Sequence, residues 1–177
     1  GLFLTSPQEQ AEWAGTVLAK TLPRFILTPQ RIALFLRANS NLYDTVRSKR
    51  IQFEFFDLLQ PVEAHLERLD AFKPHVLVGP PSLLRMLAEQ EKLSISPERV
   101  FSAAEVLEEP DKTTIADRFG HPALQIYQAT EGFLGISRLS DGRVRLNEDL
   151  VVIQKDWIDR DSGRFAPIVT DFRRTSQ

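Results

Sequence analysis

Apolar positions along the middle of this chain follow two spacings in turn, and the alternation predicts the architecture. Short, nearly continuous apolar runs at 31–37, 51–56, 75–78, 100–104 and 123–127 read as strands buried on both faces. Helical spacing fills the intervals. Residues 7–20 follow Thr5-Ser6-Pro7-Gln8-Glu9, where a hydroxyl cap, a proline in the first turn and an early acid suit a helix start. That helix is expected to stop near Pro23. Asn39-Ser40-Asn41 is a loop able to cap a short helix through Leu42, Tyr43 and Val46. Pro61 opens a helix with Val62, Leu66, Leu69 and Phe72 on one stripe. Residues 82–90 bury Leu83, Leu84 and Leu87, and 109–119 form the next helix. Repeated strand–helix–strand units predict a mostly parallel sheet with helices on both faces.

The texture changes after Glu131. Residues 133–139, 144–153 and 166–170 are strand-like. Asp141-Gly142 is a strong hairpin turn pair, and Asp161-Ser162-Gly163 reads as another turn. The expected fold class is therefore α/β, a mostly parallel sheet followed by a C-terminal antiparallel β-meander. With no repeat, low-complexity tract or flexible linker, residues 1–177 read as a single unit: an α/β part, 1–131, and a β-rich extension, 132–177.

Composition narrows the function. The 177 residues suffice for one well-buried domain, and 42% hydrophobic with 26% charged content is ordinary for a soluble protein. A net charge of −2 gives no bulk electrostatic hold on nucleic acid or an anionic membrane. The small basic cluster Arg47, Lys49 and Arg50 reads as a solvated helix end. No apolar run approaches the roughly 20 residues of a membrane span. The first residues lack the pattern of a signal peptide. Zero cysteines exclude disulfides and thiolate metal sites and fit a reducing compartment. A cytoplasmic location is expected. The abrupt start at Gly1, without an initiator Met, suggests a processed product or an excised fragment.

Candidate chemistry concentrates at strand ends. His65, His75 and His121 are scattered without zinc-site spacing, and no G-x-S-x-G elbow occurs. Gly79-Pro80-Pro81-Ser82 ends one strand and opens a helix, which suits either an anion at the helix start or a stiff turn with a cap. Ser102-Ala103-Ala104-Glu105 follows the next strand. Its small residues allow a flat ligand close to the backbone, or simply helix–sheet packing. Tyr127-Gln128-Ala129-Thr130-Glu131-Gly132 follows the last. There an aromatic face can stack on a base, a hydroxyl can donate to a phosphate and a carboxylate can hold Mg²⁺. Open α/β sheets bind ligands beyond the carboxyl ends of their strands.

That last segment resembles the Tyr-x-x-Thr-Glu motif of adenylate-forming enzymes, the superfamily of acyl-CoA synthetases, luciferases and peptide-synthetase adenylation domains. The ordered set is more specific: residues 36–43, Gly79-Pro80-Pro81-Ser82, Ser102-Ala103-Ala104-Glu105, Thr130-Glu131-Gly132-Phe133-Leu134 and Arg145-Leu146-Asn147-Glu148-Asp149. Together these are similar to the phenylacetate–CoA ligase branch, and within it to CapK-type, coenzyme-F-synthetase-related members. The resemblance covers essentially the whole chain.

The resemblance implies roles. Tyr127 would lie against adenine, with Ala103, Ala104 and Glu105 as the opposite wall. Thr130 would bond the α-phosphate, and Glu131 would bind Mg²⁺, making these two the catalytic pair. Gln128 stands where many superfamily members have Gly, and would alter the pocket floor. Residues 79–82 would border the acyl pocket. ATP and Mg²⁺ are the implied cofactors, a small carboxylic acid the substrate, and CoA or another thiol, amine or hydroxyl the acceptor. Such enzymes also carry a Ser/Thr/Gly-rich phosphate loop before a segment like Gly1-Leu2-Phe3-Leu4. A ribose-holding Arg-x-x-x-Asp element follows a stretch like 169–174, and beyond it lies a small domain with a catalytic lysine. None of these is in the chain, so it is expected to be a central fragment, inactive by itself. The rival expectation is a non-catalytic nucleotide-binding or scaffold module in surface-polysaccharide assembly.

Overall fold

The computed structural model describes residues 7–22, 28–37, 48–129, 132–138 and 140–171. The expected helix through Leu42, Tyr43 and Val46, and the capping residues Thr5 and Ser6, lie outside the described residues. Element order is α1 (Pro7–Thr21), β1 (Gln30–Leu36), β2 (Ile51–Asp57), a 3₁₀ turn (Val62–His65) running into α2 (Leu66–Phe72), β3 (Val76–Gly79), α3 (Pro81–Ala88), β4 (Arg99–Ser102), α4 (Glu109–Phe119), β5 (Leu124–Ala129), β6 (Gly132–Ser137), β7 (Val144–Leu146), β8 (Val152–Asp159) and β9 (Arg164–Thr170).

Among the described residues, seven strands form one sheet in the order β2-β1-β3-β4-β5-β6-β7. The first five are parallel; β6 and β7 join antiparallel at the β5 side. The period-2 geometry of a strand sends neighbours to opposite faces, and β1 divides the core accordingly. Ala33 and Phe35 pack with Leu69, Leu84, Leu87 and Ile115 of α2, α3 and α4. Ile32 and Leu34 pack with Val17, Leu18 and Leu22 of α1 and its end. Helices therefore cover both faces, as the apolar pattern predicts.

Several boundaries differ from the sequence reading. The helix expected from Pro61 begins as a 3₁₀ turn, Val62–His65, at whose end His65 Nε2 meets the Asp57 carbonyl oxygen at 2.9 Å. The strand expected over 123–127 runs on to Ala129, since β6 folds back and pairs Tyr127 with Gly135 and Ala129 with Gly132. The strand expected over 144–153 breaks. Asn147 accepts the amide N–H groups of Leu150 and Val151, turning the chain after the three residues of β7.

Strands β8 and β9 form a separate two-stranded hairpin rather than a continuation of the sheet. Trp157 meets Phe165 edge-on at 5.5 Å, and Lys155 lies over both rings. At its turn, the Ser162 hydroxyl and the Asp161 N–H donate to the Asp159 carboxylate and hold its pKa below the usual carboxylate range. Folding lowers this pKa, so the turn's contribution is complete above the ordinary carboxylate value and is lost as pH falls through the lowered one. An NMR titration of the Asp159 carboxyl carbon is expected to give a midpoint below that of free aspartate. Ser162→Ala should return it toward the ordinary range.

Candidate functional site

The five parallel strands end at one edge, and the segments that follow β3 and β4 meet there. The Gly79 carbonyl, at the end of β3, accepts the Ala103 N–H at 3.1 Å. A side chain at position 79 would press on Phe35 Cβ at 3.3 Å and Leu83 Cδ2 at 3.1 Å, which accounts for the glycine. Ser82 Oγ donates to Glu105 Oε2 at 2.7 Å, and the Ser82 N–H faces the same oxygen at 3.4 Å. The opening of α3, which the sequence allowed as an anion site or as a cap, is thus filled by the chain's own carboxylate. Glu105 caps the helix and ties the two loops together.

Ala104 sits at φ 70°, in the left-handed region where L-residues are strained. It turns the chain off the sheet, so β4 stops at Ser102 rather than at Ala104 as expected. The Ser102 hydroxyl beneath it is buried with no hydrogen-bond partner. Relieving the left-handed penalty, roughly 1–2 kcal/mol, outweighs the extra unfolded-chain entropy of glycine, about 0.4–1 kcal/mol. Ala104→Gly is therefore expected to raise the unfolding midpoint by about 2 °C. A calorimetric scan measures it directly.

Two cavities open on the faces of this edge. The larger, about 630 Å³, lies on the α3 side between Phe35, Arg37, Pro61, Ser82, Met86 and Glu105. The smaller, about 400 Å³, lies under α1, with Trp13, Val17, Phe53, Val78, Ile126 and Gln128 among its walls. Ala103 and Ala104 line both. Tyr127 lines neither: its ring is 42% exposed and, by strand alternation, opposite Gln128. Ser102, the last residue of β4, pairs with Gln125, two residues before Tyr127 in β5. Ala103, Ala104, Glu105, Tyr127 and Gln128 are thus gathered at one edge, with Gln128 turned to the α1 face.

Thr130 and Glu131 lie outside the described residues. Their neighbours Ala129 and Gly132 pair across β5 and β6. The start of β6 is anchored from behind by contacts that sequence reasoning missed. Asn147 Nδ2 donates to the Phe133 carbonyl at 2.9 Å, and the Asn147 N–H donates to that of Leu134 at 2.8 Å. Lys20 of α1 donates to Asn147 Oδ1 at 3.0 Å and to Asp149 at 2.8 Å. Asn147 and Asp149 belong to a quoted motif, but the distance from Lys20 in sequence hid the partnership. Among the described residues no three His, Asp or Glu side chains gather into a metal site, and no helix is long and apolar enough to cross a membrane.

No protein-family model matches the sequence, and no curated protein matches it. Solved structures do match in fold. A 2-hydroxyisobutyryl-CoA ligase, in complex with 2-HIB-AMP and CoA, superposes with a TM-score of 0.73 at 16% identity, over 98% of this chain and 42% of that one. The amide bond synthetase McbA from Marinactinospora thermotolerans gives 0.64 at 16%, over 89% and 34%. A benzoate CoA ligase from Burkholderia xenovorans LB400 gives 0.60 at 15%, over 87% and 34%. The fold is theirs. At this identity the likeness concerns architecture, and the chain spans less than half the length of each of these enzymes.

Proposed function

We propose that this chain is the central part of an ATP-dependent adenylate-forming ligase that activates a carboxylic acid as acyl-AMP and passes it to a thiol or other acceptor. One observation carries the reading. The loops after β3 and β4 are locked together by Ser82 and Glu105, beside the strand that leads into Thr130-Glu131, in a fold shared with CoA ligases. The ordered motifs support the finer placement in the phenylacetate–CoA ligase branch, among CapK-type members. Residues 1–131 then form the α/β part of the unit and 132–177 its β-rich extension. An ATP-consuming reaction fits the cytoplasm.

In this reading Tyr127 offers its exposed ring to adenine, while Ala103, Ala104 and Glu105 bring backbone to the other side. The Thr130 hydroxyl donates to the α-phosphate, where negative charge accumulates during attack by the substrate carboxylate. Glu131 supplies a hard oxygen donor of the kind Mg²⁺ takes together with substrate phosphates. Magnesium, when bound, neutralises the triphosphate. The chain by itself, without the remaining length of such enzymes, is expected to turn over negligibly. Acid-dependent exchange of labelled pyrophosphate into ATP, by the protein carrying this sequence, is the test. Exchange that requires an added acid supports the reading; no exchange across a broad acid panel rejects it.

A further inference from the structure

The cavity under α1 runs across the sheet rather than along one strand. Its floor includes Phe53 from β2, Leu34 from β1, Val78 from β3, and Ile126 and Gln128 from β5. Strands β2 and β5 are four steps apart, so at ~4.8 Å per step the floor extends about 19 Å. None of the described lining residues is charged. The Thr21 hydroxyl is already committed to the Val17 carbonyl, at 2.7 Å. Two polar features remain: at β5 the Gln128 side chain and the backbone of Ala103, Ala104 and Ala129 converge, and on α1 the Trp13 indole N–H is buried without a hydrogen-bond partner, while the far end at Phe53 is apolar. An amphipathic gradient of this length fits a ligand with a polar head and an elongated hydrocarbon tail.

We propose that this cavity takes the tail of an extended, uncharged acyl group, an unbranched aliphatic carboxylic acid, with Phe53 limiting its length. The proposal rests on the adenylation reading for its polarity, since it sets the carboxylate at the β5 end beside the nucleotide. It departs from the compact acids in the names of the structural neighbours, 2-hydroxyisobutyrate and benzoate. None of the described lining residues is a cation, so a second carboxylate carried toward the apolar Phe53 end would lose its hydration without gaining a counter-charge, which disfavours diacids.

The test is direct binding to the protein carrying this sequence, without ATP, by calorimetry, of butanoate, hexanoate, octanoate and decanoate, with hexanedioate as the charged control. Affinity is expected to rise about threefold per added methylene through decanoate, as apolar area leaves water. Hexanedioate should not bind measurably. Phe53→Trp should weaken decanoate about tenfold and leave hexanoate unchanged, because only the longer tail reaches β2. The wild-type series stands alone if that variant does not fold. Affinity independent of chain length, or hexanedioate binding as well as hexanoate, overturns the proposal. So does a Phe53→Trp effect equal on both acids. Pyrophosphate exchange with the same acids, by the protein carrying this sequence, separates the two readings. Length-dependent binding without exchange leaves the cavity assignment standing and rejects the ligase. Exchange driven best by butanoate or hexanedioate does the reverse.

Discussion

Phe35→Ala is expected to cost about 4 kcal/mol of folding stability, the largest single effect of any core substitution proposed for this chain. Phe35 is 1% exposed, stacks on Phe56 at 4.8 Å between ring centres and receives the edge of His65 at 5.8 Å. It also presses against Gly79 and forms a wall of the larger cavity. Truncation removes the transfer free energy of the ring and leaves a void that the sheet cannot close, because both flanking strands are fixed by their ladders. Domains of this kind are stable by only about 5–15 kcal/mol, so the variant should unfold at a far lower urea midpoint with the slope unchanged. Phe35→Leu keeps most of the volume and should cost less than about 2 kcal/mol. A loss below 1 kcal/mol for the alanine variant would mean that the α2–α3–α4 layer is not packed as described.

The second large effect concerns chemistry. Glu131→Ala is expected to lower acid-dependent pyrophosphate exchange by about 10²–10³-fold, the range for removing one group that stabilises charge in a transition state. Stability should change by less than about 0.5 kcal/mol if the carboxylate serves the reaction and not the fold. Glu131→Gln discriminates the cause. Asparagine-like amides keep shape but lose the negative charge that a divalent cation requires, so the glutamine variant should be nearly as impaired as alanine. Exchange unchanged in both variants rejects the role assigned to Glu131.

Much of the fold was legible because burial on both faces leaves a simple mark. Runs such as Ile32-Ala33-Leu34-Phe35 and Val76-Leu77-Val78 have the length and branching of central strands, and the Leu83-Leu84-Leu87 stripe that follows has the spacing of a covering helix. What escaped reading depends on partners far along the chain. Nothing local in 123–127 tells that β5 continues to Ala129; that follows from β6 folding back. Glu105 reads as an open wall residue until Ser82, 23 positions earlier, is found to hold it. The strain at Ala104 is invisible too, since alanine carries no signal for a left-handed conformation. The hairpin of β8 and β9 looked like more of the same sheet because its alternation resembles that of β6, whereas its residues are exposed on both faces. Of the site, the meeting of the loops after β3 and β4 at one edge followed from topology. The internal use of Glu105 and the anchoring of β6 by Asn147 and Lys20 did not.

The central claim is that the carboxylate of an acid attacks the α-phosphorus of ATP at this sheet edge. Its most direct test follows the oxygen. The protein carrying this sequence is incubated with ATP, an acceptor thiol and an acid whose carboxylate bears heavy oxygen, and the AMP formed is weighed by mass spectrometry. One labelled oxygen in AMP is the expected result, because cleavage of the acyl-adenylate leaves a carboxylate oxygen on phosphorus. Product formed with unlabelled AMP, or with ADP and phosphate in its place, would contradict the account.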